Sequence, residues 1–164
     1  MLPNQKGIKM DHEFDCECAA CKYGIENVKR MEQEAMEKEG WYAHIVQDDP
    51  RTPYGLNYHT HGMVESFDHP DLQVVLKIDP RTVHSCIHNV VKQIKAGKKF
   101  KHGDRADEVI RSAIDIEYQV MFVNAVEGGR NVLRVIFPDA AGNLEPQDMD
   151  PEYGHQHCNP YGEE

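Results

Sequence analysis

The chain has 164 residues, 40% of them hydrophobic, and a formal net charge of −10 at pH 7. This length fits one ordinary domain, and the apolar fraction is large enough for a packed core. The acidic balance excludes general binding to nucleic acids or anionic membranes, because phosphate groups are bound by clustered cations. No apolar run reaches the ~20 residues of a membrane helix, and the first residues lack the apolar stretch of a secretory signal. We therefore expect a cytoplasmic protein.

The first half of the chain predicts one helix and three strands after a polar tail at residues 1–14. Apolar residues at helical spacing predict a helix at 24–39, closed by a glycine. Strands are predicted at 41–47 and at 55–63, separated by a segment that contains two prolines. Apolar and polar side chains then alternate over 71–78, which is typical of a half-buried strand.

The second predicted helix begins with Asp79 as its N-cap and Pro80 in its first turn. His84 and His88 lie four residues apart, on the flank of this helix, with His84 at the boundary of the apolar stripe and His88 exposed. Cys86 lies at the other boundary and is predicted to be a small packing residue. The apolar stripe itself consists of Val83, Ile87, Val90, Val91 and Ile94.

Two strands, at 116–126 and 131–137, close the predicted fold. The sequence Glu-Gly-Gly-Arg joins them, and a Gly-Gly turn between two β-rich segments is typical of a hairpin. Residues from Asp139 onwards are rich in Pro, Gly and acidic side chains and predict an irregular tail. The order of elements predicts an α+β class. We expect a single domain at 15–150, with a mostly antiparallel sheet and two main helices, followed by a C-terminal tail at 151–164.

Three cysteines within six residues form the first candidate metal site. Thiolates prefer soft cations such as zinc, and a structural zinc site takes four ligands. A C-terminal His or Cys would complete the set and join the two ends of the domain through the metal. Free thiols are the alternative, and a disulfide is disfavoured in a cytosolic chain. The candidate ligands are Cys16, Cys18 and Cys21 near the N-terminus, and His155, His157 and Cys158 near the C-terminus.

A second candidate site surrounds His59 and His61, which project from the same face of a strand because they are two residues apart. His69 and either Asp68 or Asp71 follow shortly afterwards and offer further nitrogen and oxygen ligands. Such a mixed set suits a divalent ion with an open position for water, with an aspartate as general base. The alternatives are a solvated face of the sheet or a ligand pocket without metal.

The third candidate site is a basic stretch, in which six of the 18 cations lie between Lys92 and Arg105. With its nearby glycines, this stretch fits an anion site for a phosphate or a nucleotide. A solvated helix end is the alternative, because cations are favoured near the C-terminus of a helix. The candidate ligand-binding residues are Lys98, Lys101, Gly103, Asp104 and Arg105.

Short motifs recur in a fixed order from Cys16 to Asp150. They are Cys-x-Cys-x-x-Cys, Gly40-Trp41, Tyr58-x-Thr60-x-Gly62-Met63, His69-Pro70-Asp71-Leu72, Gly97-x-x-Phe100-x-x-Gly103-Asp104 and Phe137-Pro138-Asp139-x-x-Gly142. Their order resembles the bacterial family called domain of unknown function 4262. Many members carry Tyr-Thr-Val-Gly-Leu where this chain has His-Thr-His-Gly-Met. The resemblance implies a compact bacterial α+β domain and no particular activity, and it directs attention to the His-Pro-Asp and Gly-Asp motifs.

Three functions follow from these sites. The first is a zinc-binding protein in which a mainly structural metal supports recognition of a small molecule or a protein partner. The second is a metal-dependent hydrolase of a nucleotide or another phosphate ester, which uses His59, His61 and His69. The third is a non-catalytic binder of a nucleotide or second messenger, in phage defence or counter-defence.

Overall fold

The computed structural model describes residues 22–47, 55–111 and 118–158, so the tail predicted at 1–14 lies outside the described residues. The contacts of the chain separate it into two compact units, Met1–Glu39 and Gly40–Glu164. The described elements are α1 (Ile25–Glu39), β1 (Tyr42–Gln47), β2 (Leu56–His61), α2 (Met63–Phe67), β3 (Asp71–Val74), α3 (Pro80–Lys95), β4 (Arg105–Ile110), β5 (Tyr118–Glu127), β6 (Arg130–Ile136), α4 (Pro151–Gly154) and a 3-10 turn at His155–His157.

Helix α1 lies in the first unit and agrees with the helix predicted from apolar spacing. Gly40 follows it with a φ of 83°, the left-handed conformation that commonly ends a helix. None of the α1 residues is buried. Within the described parts of the chain, no helix is both long enough and apolar enough to cross a bilayer.

The second unit is built on a six-stranded sheet with the strand order β1-β2-β3-β6-β5-β4. Strands β3 and β6 pair in parallel, and the other neighbouring strands pair antiparallel. This arrangement confirms an α+β class with a mostly antiparallel sheet. The turn between β5 and β6 also has the predicted form, because Glu127 pairs with Arg130 and the two glycines between them have φ values of 55° and 77°.

Strand β4 has no counterpart among the predicted strands, and an irregular ladder explains why. Its register with β5 shifts between Ala106 and Ile110, and Glu108 in that interval has a φ of 59°. A bulge of this kind breaks the two-residue alternation on which strand prediction depends. Strand β3 is shorter than predicted, since it ends at Val74, although Leu76 continues to pack in the core.

Helix α3 covers one face of the sheet and supplies most of the helical part of the main core. The Asp79 carboxylate accepts a hydrogen bond from the Arg81 backbone N–H at 2.9 Å, and Pro80 occupies the first turn, as predicted. Cys86 is buried and packs in this core, whereas His84 and His88 are exposed. The buried stripe of the helix also contains Val83, Ile87, Val90, Val91 and Ile94.

The segment after β6 packs against the opposite face of the sheet, although its composition predicted an irregular tail. Leu144 and Met149 form a second, smaller core with Met121 and Ile136. Side chains alternate between the two faces along a strand, so Met121 and Ile136 point away from the main core that their sequence neighbours enter. Polar bonds to the backbone hold the segment in place, and such bonds leave no periodic signal in the sequence.

Arg134 is the centre of this attachment. Its side chain is only 1% exposed, and its guanidinium donates hydrogen bonds to the Gln73 Oε1 and to the backbone carbonyls of Gln156 and Cys158. Gln156 is itself fully buried, and its amide bonds both the N–H and the carbonyl of Phe137. The chain from β6 to Cys158 is therefore one packed structure.

Candidate functional site

Three histidines on neighbouring strands lie together on the face of the sheet opposite α3. The pairing of β1 with β2 places His44 directly across from His59, and His61 follows two residues further along β2. Each imidazole offers a nitrogen, and the three nitrogens lie within 4.8 Å of one another. The ring centroids of His59 and His61 are 5.1 Å apart, so these two side chains project together as their spacing predicted. We call His44, His59 and His61 the histidine triad.

The strand alternation of β2 explains why the triad faces away from the main core. Leu56 and Tyr58 point into the core beneath α3, so His59, the residue after Tyr58, points to the other face. His59 is only 6% exposed, whereas His44 and His61 are half-buried. The triad is therefore reachable from solvent on one side and packed on the other.

Hydrogen bonds fix the orientation of the triad rings. The Nδ1 of His59 lies 3.3 Å from the Oδ1 of Asn57, which also accepts a hydrogen bond from the Gln73 amide. An amide oxygen only accepts, so Nδ1 of His59 carries the proton and Nε2 keeps its lone pair. The Nε2 of His61 lies 3.1 Å from the Nδ1 of His44. His44 and His61 are thus joined directly, and the ring of His59 is oriented by Asn57.

Burial keeps two of the triad imidazoles, those of His59 and His61, neutral. It lowers the pKa of His59 to about 4; Glu127 opposes this shift, and His61, His44 and Arg130 add to it. Burial also lowers the pKa of His61, and the nearby Arg130 and His44 lower it further. Neutral imidazoles have the lone pairs that transition metals bind, so His59 and His61 can act as metal ligands at pH 7.

Two carboxylates and an arginine border the triad. The guanidinium of Arg130 donates to Asp71 Oδ2 at 2.8 Å, to Glu127 Oε2 at 3.3 Å and to the carbonyl of Thr60 at 2.9 Å. Asp71 also accepts hydrogen bonds from the Thr60 hydroxyl and from the Met63 N–H. These three partners hold Asp71 in place as an anchor for β2 and the β5–β6 hairpin.

Glu127 has a different relation to the triad. Its Oε1 lies 3.8 Å from the Nδ1 of His59, and its side chain is 16% exposed. A carboxylate beside the nitrogen that does not bind metal is a common outer partner of metal-binding histidines. Glu127 therefore supports the protonated Nδ1 of His59 together with the amide of Asn57.

His69 lies away from the triad and serves a structural purpose. It is 1% exposed, and its Nδ1 lies 2.8 Å from the carbonyl of Pro70, to which it must donate. Its Nε2 accepts a hydrogen bond from the Phe100 N–H at 3.1 Å. Both ring nitrogens are thus engaged in joining the start of β3 to the chain at Phe100. Asp68, the other aspartate considered beside it, is exposed and pairs with Lys99 at 2.9 Å.

The residues predicted to bind an anion lie in and around the turn that precedes β4. The Lys101 N–H donates to the Asp104 carboxylate, and the Asp104 N–H donates to the Lys101 carbonyl. The Gly103 N–H donates to the carbonyl of Phe122. Local bonds therefore occupy these three backbone donors, and a ligand here stays a prediction. The remaining members of the predicted set are Lys98, which donates to Gln93, and Arg105, which pairs with Glu145.

The predicted zinc site at the chain ends is only partly within the described residues. Its cysteines, Cys16, Cys18 and Cys21, lie outside them. Its C-terminal candidates lie in or directly after the 3-10 turn: His155, His157 and Cys158. The Nε2 of His157 lies 2.8 Å from the carbonyl of Leu144, and the thiol-bearing Cys158 is exposed. A zinc ion that joins the two ends stays a prediction.

His44 is the member of the triad that the sequence pattern did not single out. Residues 41–47 were predicted as a strand, so the signal was a histidine on a strand next to a His-x-His strand. Its position opposite His59 depends on the register between the two strands, which the sequence of the connection does not determine. A shift of one residue would have turned His44 to the other face.

A family model described as domain of unknown function (DUF4262) matches residues 35–148. The chain belongs to this family. The matched region of this DUF4262 protein contains the whole triad together with Asp71, Glu127 and Arg130. No curated protein and no solved structure matches the chain. The description of the family gives no activity.

Proposed function

We propose that this DUF4262 protein is a metal-dependent hydrolase whose divalent ion is bound by His44, His59 and His61. The observation that carries the proposal is the approach of three imidazole nitrogens to within 4.8 Å of one another. Three histidines with a fourth position left to water form a known ligand set of catalytic zinc. A purely structural zinc site would instead have four protein ligands.

The chemistry of the donors favours zinc or a similar first-row transition metal. Imidazole nitrogens suit zinc, copper, nickel and iron, whereas magnesium and calcium prefer oxygen ligands. The Nε2 of His59 is kept unprotonated by the bond from its Nδ1 to Asn57. Tyr42 stacks on His61 with ring centroids 5.1 Å apart, which restricts the rotation of that imidazole. The site is thus preorganised for an ion.

Arg130 is the residue beside the triad that would bind an anionic substrate such as a phosphate ester. If His44, His59 and His61 held a zinc ion, the chemistry it would supply is a lowered pKa, to about 7, for a water at the open position. Glu127 supports the Nδ1 proton of His59 and keeps that ring oriented. Arg130 is partly exposed, and the guanidinium N–H groups that do not donate to Asp71, Glu127 or Thr60 would bind a phosphoryl oxygen.

The proposal is tested by measuring metal content and hydrolysis together, on full-length protein prepared without a histidine tag. We expect one zinc per chain at the triad, lost in His59→Ala and in His44→Ala. Turnover of phosphodiesters and nucleotides, assayed with zinc, manganese and magnesium, should fall at least a hundredfold in both variants. His102→Ala is the matched control, because His102 is exposed and lies outside the triad.

Two outcomes contradict this function. Metal content that is unchanged in both triad variants would exclude the triad as the site. Metal lost in the triad variants, without turnover of any phosphate ester by the wild type, would leave a metal-binding protein and remove the hydrolase. Nucleotide binding without turnover, seen as a rise in melting temperature, would instead support a non-catalytic nucleotide binder.

A structural zinc site at the chain ends is a separate second proposal, supported by the spacing of the three N-terminal thiols. In it, Cys16, Cys18 and Cys21 bind zinc with a fourth ligand from His155, His157 or Cys158. Cys18→Ser should then remove one zinc per chain and lower the melting temperature while the triad keeps its ion. An unchanged zinc content in Cys18→Ser would exclude this site.

A further inference from the structure

We propose that His84 and His88, on the exposed flank of helix α3, form a second binding site for a divalent transition metal, beside the indole of Trp41. The site does not depend on the triad. It lies on the α3 side of the sheet, because Tyr58, which contacts His84, points to the face opposite its neighbour His59.

The geometry of the helix brings the two imidazoles together. Residues four apart lie on one face of a helix, and both histidines are exposed. Their ring centroids are 4.9 Å apart, with the ring planes at 75°. Two histidines at this spacing are the arrangement that places two nitrogens on one zinc ion in helical metal motifs. The pair therefore offers a bidentate nitrogen site in which the other positions belong to water or an external ligand.

Tyr58 positions the His84 ring from below. Its hydroxyl lies 2.7 Å from the Nδ1 of His84, and its side chain is fully buried. The phenol oxygen can accept a hydrogen bond from an Nδ1–H of His84. In that tautomer the Nε2 of His84 carries the lone pair that binds metal, and Tyr58 acts as the outer partner of the ligand.

Trp41 supplies a second, independent observation. Its ring contacts both imidazoles, with centroid distances of 5.6 Å to His84 and 5.1 Å to His88. The side chain is 3% exposed, yet its Nε1–H has no hydrogen-bond partner among the described residues. A buried donor without an acceptor is costly. A water or anion held between the two histidines and the indole would provide an acceptor for the Trp41 Nε1–H.

The test uses Trp41 itself, because it is the single tryptophan of the chain. Ni²⁺ is added to the full-length protein, and quenching of tryptophan fluorescence is followed to saturation and reversed with EDTA. Ni²⁺ is chosen because it binds imidazole and does not oxidise the cysteines. We expect saturable quenching in the wild type and an increase in the apparent Kd of at least about tenfold in His88→Ala.

Three further variants distinguish an ion at His84 and His88 from an ion at the triad. His59→Ala disables the triad and should leave the quenching curve unchanged, so failure of the proposed hydrolase would not affect this result. His84→Gln should weaken binding like His88→Ala. Tyr58→Phe should raise the Kd by about tenfold while the circular dichroism spectrum stays that of the wild type, as expected for a positioning residue.

The inference is overturned by any of three results. The first is a wild-type fluorescence that Ni²⁺ does not quench. The second is a quenching curve in His88→Ala within twofold of the wild type, which would place the quenching ion elsewhere. The third is loss of quenching in His59→Ala with His88→Ala unaffected, which would assign the ion to the triad.

Discussion

The two faces of the sheet are built on different physical principles. The face beneath α3 is apolar and is filled by residues that recur at regular spacing, such as Ile87, Val135 and Phe122. The face that carries the triad is joined by polar groups, including the fully buried Gln73 and Arg134. The first face is stabilised by the burial of apolar surface, a non-directional effect that is roughly proportional to the area removed from water. The second depends on donors and acceptors that meet only in one register.

This difference explains why the two faces respond differently to substitution. An apolar core loses stability in proportion to the volume removed, and neighbouring side chains relax to fill part of the space. A polar network loses a whole interaction and leaves the partner group unpaired in a buried place. Four substitutions test the contrast, and the first is expected to have the largest effect.

Phe122→Ala should lower the free energy of unfolding by about 3–5 kcal/mol, because it leaves a cavity in the main core. Phe122 is fully buried and stacks on Phe100 with ring centroids 4.4 Å apart. Urea unfolding followed by the fluorescence of Trp41 gives the value. Phe122→Leu is the matched control and should cost clearly less. A loss below about 1 kcal/mol for Phe122→Ala would contradict the assignment of this face as the main source of stability.

Arg134→Met should lower the free energy of unfolding by about 3 kcal/mol, although it adds apolar volume to a buried site. The guanidinium bonds to Gln73, Gln156 and Cys158, and its loss leaves their oxygens unpaired. Limited proteolysis should then cut the chain after β6, since the C-terminal segment loses its attachment. Arg105→Met is the control, because Arg105 is exposed. Equal stability for the two variants would mean that the polar face is no more sensitive than the surface.

The main features of the apolar face were predictable from the sequence. The stripe of α3, its Asp79 and Pro80 start and the Gly-Gly hairpin follow from local spacing and turn chemistry. Local rules do not predict a contact between distant residues. The hydrogen bond from the Phe100 N–H to His69 joins positions 31 residues apart. It satisfies the buried Nε2 of His69, so a metal or ligand is not needed to account for this histidine.

The triad was half predictable for the same reason. His59 and His61 share a strand, and the two-residue period places them on one face. His44 joins them through strand pairing, and Glu127 through the distant β5 strand, so neither follows from local spacing. The C-terminal segment was missed because Gln156 and Arg134 anchor it by polar bonds rather than by an apolar period. The sequence therefore predicts the part of the site that follows from the strand period, His59 and His61. It does not predict His44 and Glu127, whose positions depend on strand pairing.

Thr60→Val should cost about 2 kcal/mol, because it is nearly isosteric and removes hydrogen bonds alone. The Thr60 hydroxyl donates to Asp71 and accepts from the Leu72 N–H, both at 2.9 Å. Valine leaves the buried Leu72 N–H without an acceptor, whereas Asp71 loses one donor and keeps the Met63 N–H and Arg130. Thr60→Ser keeps the hydroxyl and should retain most of the hydrogen-bond contribution, and urea unfolding of both variants measures the difference. A smaller loss for Val than for Ser would show that packing of the methyl group, and not the hydroxyl, stabilises this strand.

The smallest expected effect is a dependence of stability on pH through His69. Burial lowers the pKa of His69, the bond to Pro70 opposes this shift, and Lys99 adds to it. The unfolded chain therefore takes up the proton first as the pH falls below about 6.5, the ordinary pKa of histidine. The stabilising contribution of neutral His69 is complete above that pH and is lost as the pH falls towards the lower pKa of the folded state.

Urea unfolding at pH 7.5, 6.5, 5.5 and 5.0 measures this loss, and His69→Gln should make the curve flatter over the same range. His102→Ala is the control for the loss of an exposed histidine. The slope reports the difference in bound protons between the folded and unfolded chains. An identical slope in wild type and His69→Gln would mean that His69 takes up its proton equally in both states. The bond from the Phe100 N–H to Nε2 would then not be what keeps that nitrogen unprotonated.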